Sequence, residues 1–146
     1  MRNIVVDSGP FIALFNGADK HHQAAVAFIR SVKAPLYSNI AVLTEVVYLL
    51  DFKVRAQLDF LRWIRQAVHI DDATSTDLPR IIEIIQKYAD LPADFTDASL
   101  IALCERLKTH FVATIDSDFT IYRDIAKRSF TNPSCYFDRV TSIGVC

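Results

Sequence analysis

Short apolar runs of strand length alternate with stretches of helical periodicity along this chain, and that alternation leaves few architectures open. Residues 2–6, 35–37, 68–70 and 111–115 read as strands, with 136–140 as a last edge strand. Between them fall helical patterns over 10–15, 20–32, 54–66, 75–88, 96–108 and 118–127, and a further helix carrying Glu45. Ser8-Gly9-Pro10 reads as a turn into the first helix, with Pro near the first helical position. Asp19 is the expected N-cap of the second helix, whose Ala24, Ala25, Phe28, Ile29 and Val32 form one face. Ser38 or Asn39 is the expected cap of the helix bearing Glu45. Strand, helix, strand in repeated order predicts an α/β chain, a parallel sheet with helices on its faces. With 146 residues and a hydrophobic fraction of 51%, the expectation is one domain over residues 1–146 around one core. Repeats, linkers and low-complexity tracts are not evident.

Several function classes recede. No apolar run reaches the roughly 18 residues of a membrane span, and the N-terminus enters a strand-like run at once, without a signal-peptide pattern. A cytoplasmic protein without membrane attachment is expected. Cys104, Cys135 and Cys146 are odd in number, with no CxxC and no zinc spacing. Cys104 reads as a small core residue, and structural disulfides are not expected. The net charge of −1 does not advertise nucleic-acid binding. Setting aside four focal carboxylates leaves 16 basic against 13 acidic residues elsewhere.

Those four are Asp7, Glu45, Asp97 and Asp116, each embedded in apolar sequence at a strand end or early in a helix. A carboxylate among apolar neighbours is costly to bury without a partner. Several in one pocket repel and resist ionisation. A hard divalent cation relieves both problems. In open α/β sheets the ligand crevice lies beyond the carboxyl ends of the strands, where Asp7 and Asp116 fall. Taken singly, each Asp has an ordinary reading as a cap or turn residue. Glu45 does not, because it sits in an apolar helix face with no neighbouring cation. Taken together, they point to metal-dependent hydrolysis of a phosphate ester, in which a metal lowers the pKa of bound water and neutralises charge on the phosphate.

Other residues keep two readings. Asp94, one turn before Asp97, and Asp118, two residues after Asp116, are further ligand candidates or solvent charges. Ser8, Thr44 and Thr114 put hydroxyls beside the acids, to orient them or to satisfy local backbone. Arg123, Lys127 and Arg128 suit a phosphate backbone as well as they suit an exposed helix face. His21 and His22 read as structural or solvent-facing, and Asp71-Asp72 as a solvated turn. Tyr48, Phe60 and Trp63 serve the core, a partner groove or a dimer contact.

The ordered segments Val5-Val6-Asp7-Ser8, Leu43-Thr44-Glu45-Val46, Pro92-Ala93-Asp94-Phe95-Thr96-Asp97-Ala98-Ser99-Leu100-Ile101-Ala102 and Ala113-Thr114-Ile115-Asp116-Ser117-Asp118-Phe119 closely resemble the PIN-domain nucleases, among them the small VapC-type toxins. The resemblance runs over essentially the whole chain and rests on the ordered set, not on one motif. It implies a three-layer α/β/α fold with a central, mainly parallel sheet. It implies Mg²⁺- or Mn²⁺-dependent cleavage of RNA, with Asp7, Glu45, Asp97 and Asp116 matching the family's acidic quartet and Asp94 and Asp118 matching positions often acidic. It also implies a cognate antitoxin protein and a homodimer.

Two other classes compete. An aspartyl-nucleophile phosphatase would use Asp7 but needs a second acid at position 9, which is Gly9, and a Lys in a later loop. A non-catalytic module, phospho-receiver-like or RNA-binding, also uses strand-end acids. A receiver, however, carries its Asp after a middle strand and a Lys after a late one, where this chain has Thr114-Ile115-Asp116.

Overall fold

A computed structural model describes residues 2–91 and 93–133. Four strands are present among them: β1 (Ile4–Val6), β2 (Leu36–Asn39), β3 (His69–Asp71) and β4 (Val112–Ala113). All neighbours pair in parallel, in the order β3-β2-β1-β4. The helices are α1 (Ser8–Phe15), α2 (His22–Ser31), α3 (Ile40–Leu49), α4 (Val54–Ala67), α5 (Leu78–Lys87) and α6 (Phe95–Leu107), with a short 3₁₀ helix at Ser117–Thr120. The expected α/β architecture with a parallel sheet is therefore present.

Strand order fixes where a crevice can open. From β1 the chain winds outward through β2 to β3, then returns to the other side of β1 as β4. The direction of winding reverses between β1 and β4, and the crevice beyond the strand ends at such a reversal is where open α/β sheets bind ligands. Val6 pairs with Ala113, so Asp7 and Thr114 leave the sheet side by side. Backbone Asp7 N still donates to Ala113 O at 3.0 Å.

Burial explains the strands' composition. Ile4, Val5 and Val6 are all buried, as expected for a central strand covered on both faces. Residues 96–104 of α6 are buried without interruption, so this helix is enclosed on all sides, not amphipathic. It packs against β1, β2, α3 and α5. On α1 and α4, Phe11, Phe15, Phe60 and Trp63 form a cluster with ring centroids 5.6–5.9 Å apart. Phe60 is thus a core residue and Trp63 is half-buried against the cluster, whereas Tyr48 is exposed.

Some boundaries depart from the sequence expectations. The first helix begins at Ser8, two residues earlier than expected, because Asp7 caps it by accepting from Ser8 N. Asp19 does not cap α2. Its carboxylate accepts from His21 N in the preceding turn, and α2 begins at His22, whose Nδ1 pairs with Ala13 O. Asn39 caps α3, accepting from Val42 N. The helix expected over 75–88 is Leu78–Lys87. The strand expected over 111–115 shortens to two residues, because the Thr114 hydroxyl takes Asp116 N and Asn132 takes Thr114 O.

Two expectations are corrected outright. No helix runs over 118–127. The 3₁₀ turn ends at Thr120, Arg123 bridges to Ser129, and Lys127 adopts a left-handed φ of 62°. Asp71 is not in a solvated turn: it ends β3 and pairs with Arg106, which also grips buried Asp77. The expected edge strand over 136–140 lies outside the described residues, as do Cys135 and Cys146. Cys104 is buried in α6, which raises its thiol pKa and keeps it a small apolar core residue.

Candidate metal centre

The carboxylates arrive at the β1–β4 end of the sheet on four separate pieces of chain. Asp7 leaves β1 and caps α1. Asp116 follows β4 and caps the 3₁₀ turn, accepting from Asp118 N at 2.9 Å. Asp94 caps α6 by accepting from Asp97 N at 2.8 Å, which places Asp97 at the third helical position. Glu45 lies in the second turn of α3. Gly9 allows the close approach that this convergence requires, since a Cβ there would stand 3.2 Å from Ile115 Cβ. A second acid at position 9, as an aspartyl-type phosphatase needs, would require Ile115 to give by a few tenths of an ångström.

Carboxylate oxygens of Asp97, Asp116 and Asp118 all lie within 4.8 Å of one another. Asp97 is buried, Asp118 half-buried and Asp116 exposed, so the cluster opens to solvent on one side. Asp7 and Glu45 are not in this trio; Ser8 bridges them to each other, its hydroxyl 2.8 Å from Glu45 Oε1 and 3.3 Å from Asp7 Oδ1, and Asp7 is coupled to Asp97 and Asp116 by charge. Thr114 Oγ1 donates to Asp7 Oδ2 at 2.9 Å.

The electrostatics are those of a site short of positive charge. Burial pushes Asp7 up to about 6, helped by Glu45 and Asp116 and resisted by hydrogen bonds from Ser8 and Thr114. Asp97 is pushed up to about 8, chiefly by burial, then by the charges of Asp7 and Asp94. The α6 N-terminus favours a carboxylate at Asp97, but that benefit, typically below about 2 kcal/mol, does not offset burial beside like charge. Asp118 is also raised, by burial and then by Asp116 and Asp94. None of the ion pairs among the described residues involves these six acids. An all-oxygen, acidic, unpaired donor set fits a hard divalent cation such as Mg²⁺ or Mn²⁺.

The supporting candidates separate. Ser8 and Thr114 hold site carboxylates. Thr44 is exposed and donates to Ile40 O within its own helix. Arg123 spends its guanidinium on the carbonyls of Thr120, Ile121 and Tyr122, and Arg128 pairs with buried Asp124 at 2.7 Å. Lys127 is exposed.

Sequence reasoning missed three residues. Tyr122 is fully buried and donates to Asp97 Oδ2 at 2.9 Å; burial and that bond together raise its phenol pKa. Asn39, besides capping α3, donates to Ser99 Oγ at 2.9 Å and so ties the Glu45 helix to the Asp97 helix. Ser99 in turn donates to Thr96 O. A polar residue at a strand's carboxyl end was a usable signal for Asn39. The Tyr122 contact spans 25 residues and had none.

A PIN domain family model matches residues 4–125 of the chain. Ribonuclease VapC26 of Mycobacterium tuberculosis (strain ATCC 25618 / H37Rv) is 26% identical over 132 residues, covering 88% of this chain and 98% of that protein. Among solved structures, the crystal structure of M. tuberculosis VapC20, a sarcin-ricin loop cleaving toxin, superposes with a TM-score of 0.74 at 23% identity. It covers 81% of this chain and 93% of that one. VapBC2 from Rickettsia felis, bound to a DNA fragment from its promoter, matches with a TM-score of 0.63 at 11% identity over 89% of this chain and 98% of that one. FitAcB from Neisseria gonorrhoeae matches with a TM-score of 0.54 at 13% identity, over 78% and 88% respectively. At these identities the structural matches speak for the fold.

Proposed function

The chain belongs to the PIN domain family, and on that premise we propose that it is a metal-dependent endoribonuclease, hydrolysing RNA phosphodiester bonds as the toxin of a toxin–antitoxin pair. The observation that supports it most directly is the meeting of Asp97, Asp116 and Asp118 oxygens within 4.8 Å at the winding reversal of the sheet. Similarity to a curated ribonuclease along nearly its whole length supports the same reading.

In this reading Asp7, Glu45, Asp97 and Asp116 hold Mg²⁺ or Mn²⁺, with Asp94 and Asp118 as contributors. A divalent cation held there would supply the positive charge that admits a phosphodiester and would acidify a water for the attack. The chain's own residues set the geometry. Ser8 bridges Asp7 and Glu45, Thr114 fixes Asp7, and the Asp94 cap fixes the first turn of α6. Asp7 and Asp97, both raised chiefly by burial and then by neighbouring carboxylates, would give up their protons on holding a cation. Lys127, exposed in the segment after Asp118, would contact the RNA backbone, with Arg123 and Arg128 contributing beyond the bonds they make within that segment.

The VapBC2 and FitAcB matches support a cognate antitoxin. The α3–α4 corner, where Tyr48, Leu49, Phe52 and Val54 are exposed, supports a protein contact, with an antitoxin or within a homodimer. No helix among the described residues is long and apolar enough to cross a membrane, which is consistent with action in the cytoplasm.

The test is cleavage of a pool of single-stranded and structured RNAs by partner-free wild type and Asp97→Asn, in Mg²⁺, Mn²⁺ or EDTA. Cuts that need the metal and vanish in the variant support the reading. Folded wild type that neither cuts RNA nor binds a divalent ion overturns it, and a binding module without catalysis then takes its place.

A further inference from the structure

We propose that Tyr122 is a positioning residue for the carboxylate cluster, acting through its hydroxyl on Asp97; this rests on the metal-site reading above. The side chain is fully buried, and its hydroxyl donates to Asp97 Oδ2 at 2.9 Å. Its ring is held edge-on by Tyr88, with centroids 5.0 Å apart, and by Phe119 at 5.1 Å. Its backbone N–H donates to Asp118 O.

Two consequences follow. With one oxygen engaged by a fixed phenol, the Asp97 carboxylate cannot rotate freely, so its remaining donor capacity keeps one direction. Tyr122 also belongs to the same loop as Asp116 and Asp118, whereas Asp97 belongs to α6. This hydrogen bond therefore ties the loop bearing two of the clustered acids to the helix bearing the third, at the acid itself, while Ile125 N to Glu105 Oε1 ties the same two pieces farther on. A group hydrogen-bonded behind a metal ligand typically changes metal affinity or activity 10- to 100-fold when removed, roughly.

The experiment uses the full chain and Mn²⁺ alone as the probe, with binding read by calorimetry and melting curves taken with and without the ion. Tyr122→Phe keeps the ring and removes the hydroxyl. It is expected to fold, to bind Mn²⁺ about 10-fold more weakly, and to show a smaller Mn²⁺-induced rise in melting temperature. Tyr88→Leu removes a ring neighbour and the hydroxyl that accepts from Arg123 N, but leaves the Tyr122–Asp97 bond in place; it is expected to melt earlier yet bind Mn²⁺ nearly as wild type does. In an Asp97→Asn background, Tyr122→Phe is expected to add little further loss. Wild-type Mn²⁺ affinity in Tyr122→Phe overturns the positioning role and leaves the metal site standing, as does an equal loss in Tyr88→Leu. No Mn²⁺ binding by wild type removes the metal-site reading and this role with it. Should Tyr122→Phe not fold, Tyr122→Met is measured in its place against the same outcomes.

Discussion

The Thr114 hydroxyl donates to Asp7 Oδ2 at 2.9 Å, joining the first residue beyond β4 to the first residue beyond β1. The same oxygen accepts from Asp116 N at 3.0 Å. One buried side chain therefore registers two acids that belong to strands more than a hundred residues apart in sequence. Thr114→Val removes both bonds and keeps the shape. It is expected to destabilise the fold by about 1–3 kcal/mol, since it leaves a buried acceptor and a half-buried donor unpaired. RNA cleavage is expected to fall about 10-fold. Thr114→Ser is expected to restore most of both. Urea unfolding and single-turnover cleavage check the pair.

Removal of divalent ions is expected to abolish cleavage, and Asp7→Asn or Asp116→Asn to reduce it by roughly 100-fold or more, because the charge stabilisation lost is several kcal/mol. The variants differ from ordinary core damage in one respect. Asn at position 7 removes a buried like charge without changing volume, so the metal-free protein is expected to be at least as stable as wild type. Thermal melts in EDTA beside cleavage assays separate the two effects. A fall in stability equal to that of a large core truncation would refute it.

The pH dependence of the metal-free protein follows from Asp7 and Asp97. Both rise above the ordinary 3.8, to about 6 and about 8, chiefly through burial. Between about pH 4 and pH 8 the folded chain thus holds protons that the unfolded chain has released, and stability falls as pH rises. Asp7 alone corresponds to on the order of 3 kcal/mol, lost as pH climbs to about 6. The melting temperature in EDTA is expected to drop from about pH 5 to about pH 8. Asp97→Asn is expected to flatten the upper part of that fall. Excess Mn²⁺ is expected to flatten it too, because binding favours the charged carboxylates. A melting temperature that rises across this range in EDTA would contradict the environments assigned to both acids.

The alternation of strand and helix was legible because it is local: β1, α4 and α6 follow from apolar spacing and α3 from Asn39, one of its two expected caps, whereas the Asp94 cap of α6 was not anticipated. Asp7 and Asp116 were legible as residues beyond strand ends for a related reason, since that is where a parallel sheet delivers side chains to one crevice, and the structure places both there. What escaped depends on partners distant in sequence. Arg106 reaches Asp71 and Asp77 across 35 and 29 residues, so Asp71 looked like a solvated turn. The segment after Asp118 has helical periodicity, yet Tyr122 is committed to Asp97 and Arg123 to three carbonyls, and these bonds outcompete a helix. Buried α6 shows the reverse case, in which a helix enclosed on all sides carries little amphipathic signal yet is legible from its long apolar run.

Arg106 gives a prediction that leaves the site alone. Its guanidinium holds both Asp71, at the end of β3, and buried Asp77, before α5. Arg106→Ala strands a buried carboxylate and is expected to cost about 2–3 kcal/mol, below the roughly 3–5 kcal/mol of a fully enclosed pair because the arginine is partly exposed. Chemical denaturation reads the loss, while cleavage per folded molecule stays at the wild-type rate.

Basic residues beyond Asp118 divide between fold and substrate. Arg128 neutralises Asp124, which is buried; although burial opposes it, hydrogen bonds from Arg128 hold the carboxyl below its ordinary value. A lowered folded pKa contributes stability above the ordinary value of 3.8 and loses it in more acidic solution. Arg128→Ala is therefore expected to destabilise the protein by about 1–2 kcal/mol at neutral pH, and less as pH falls below about 4. Lys127 is exposed, and none of the ion pairs among the described residues involves its ammonium. Lys127→Ala is expected to leave stability nearly unchanged and to weaken RNA binding, with the slope of log affinity against log salt shallower by about 0.7 for one lost phosphate contact on a single strand. Filter binding to a non-cleavable RNA across a salt series measures it. An unchanged slope would place the substrate backbone elsewhere on the surface.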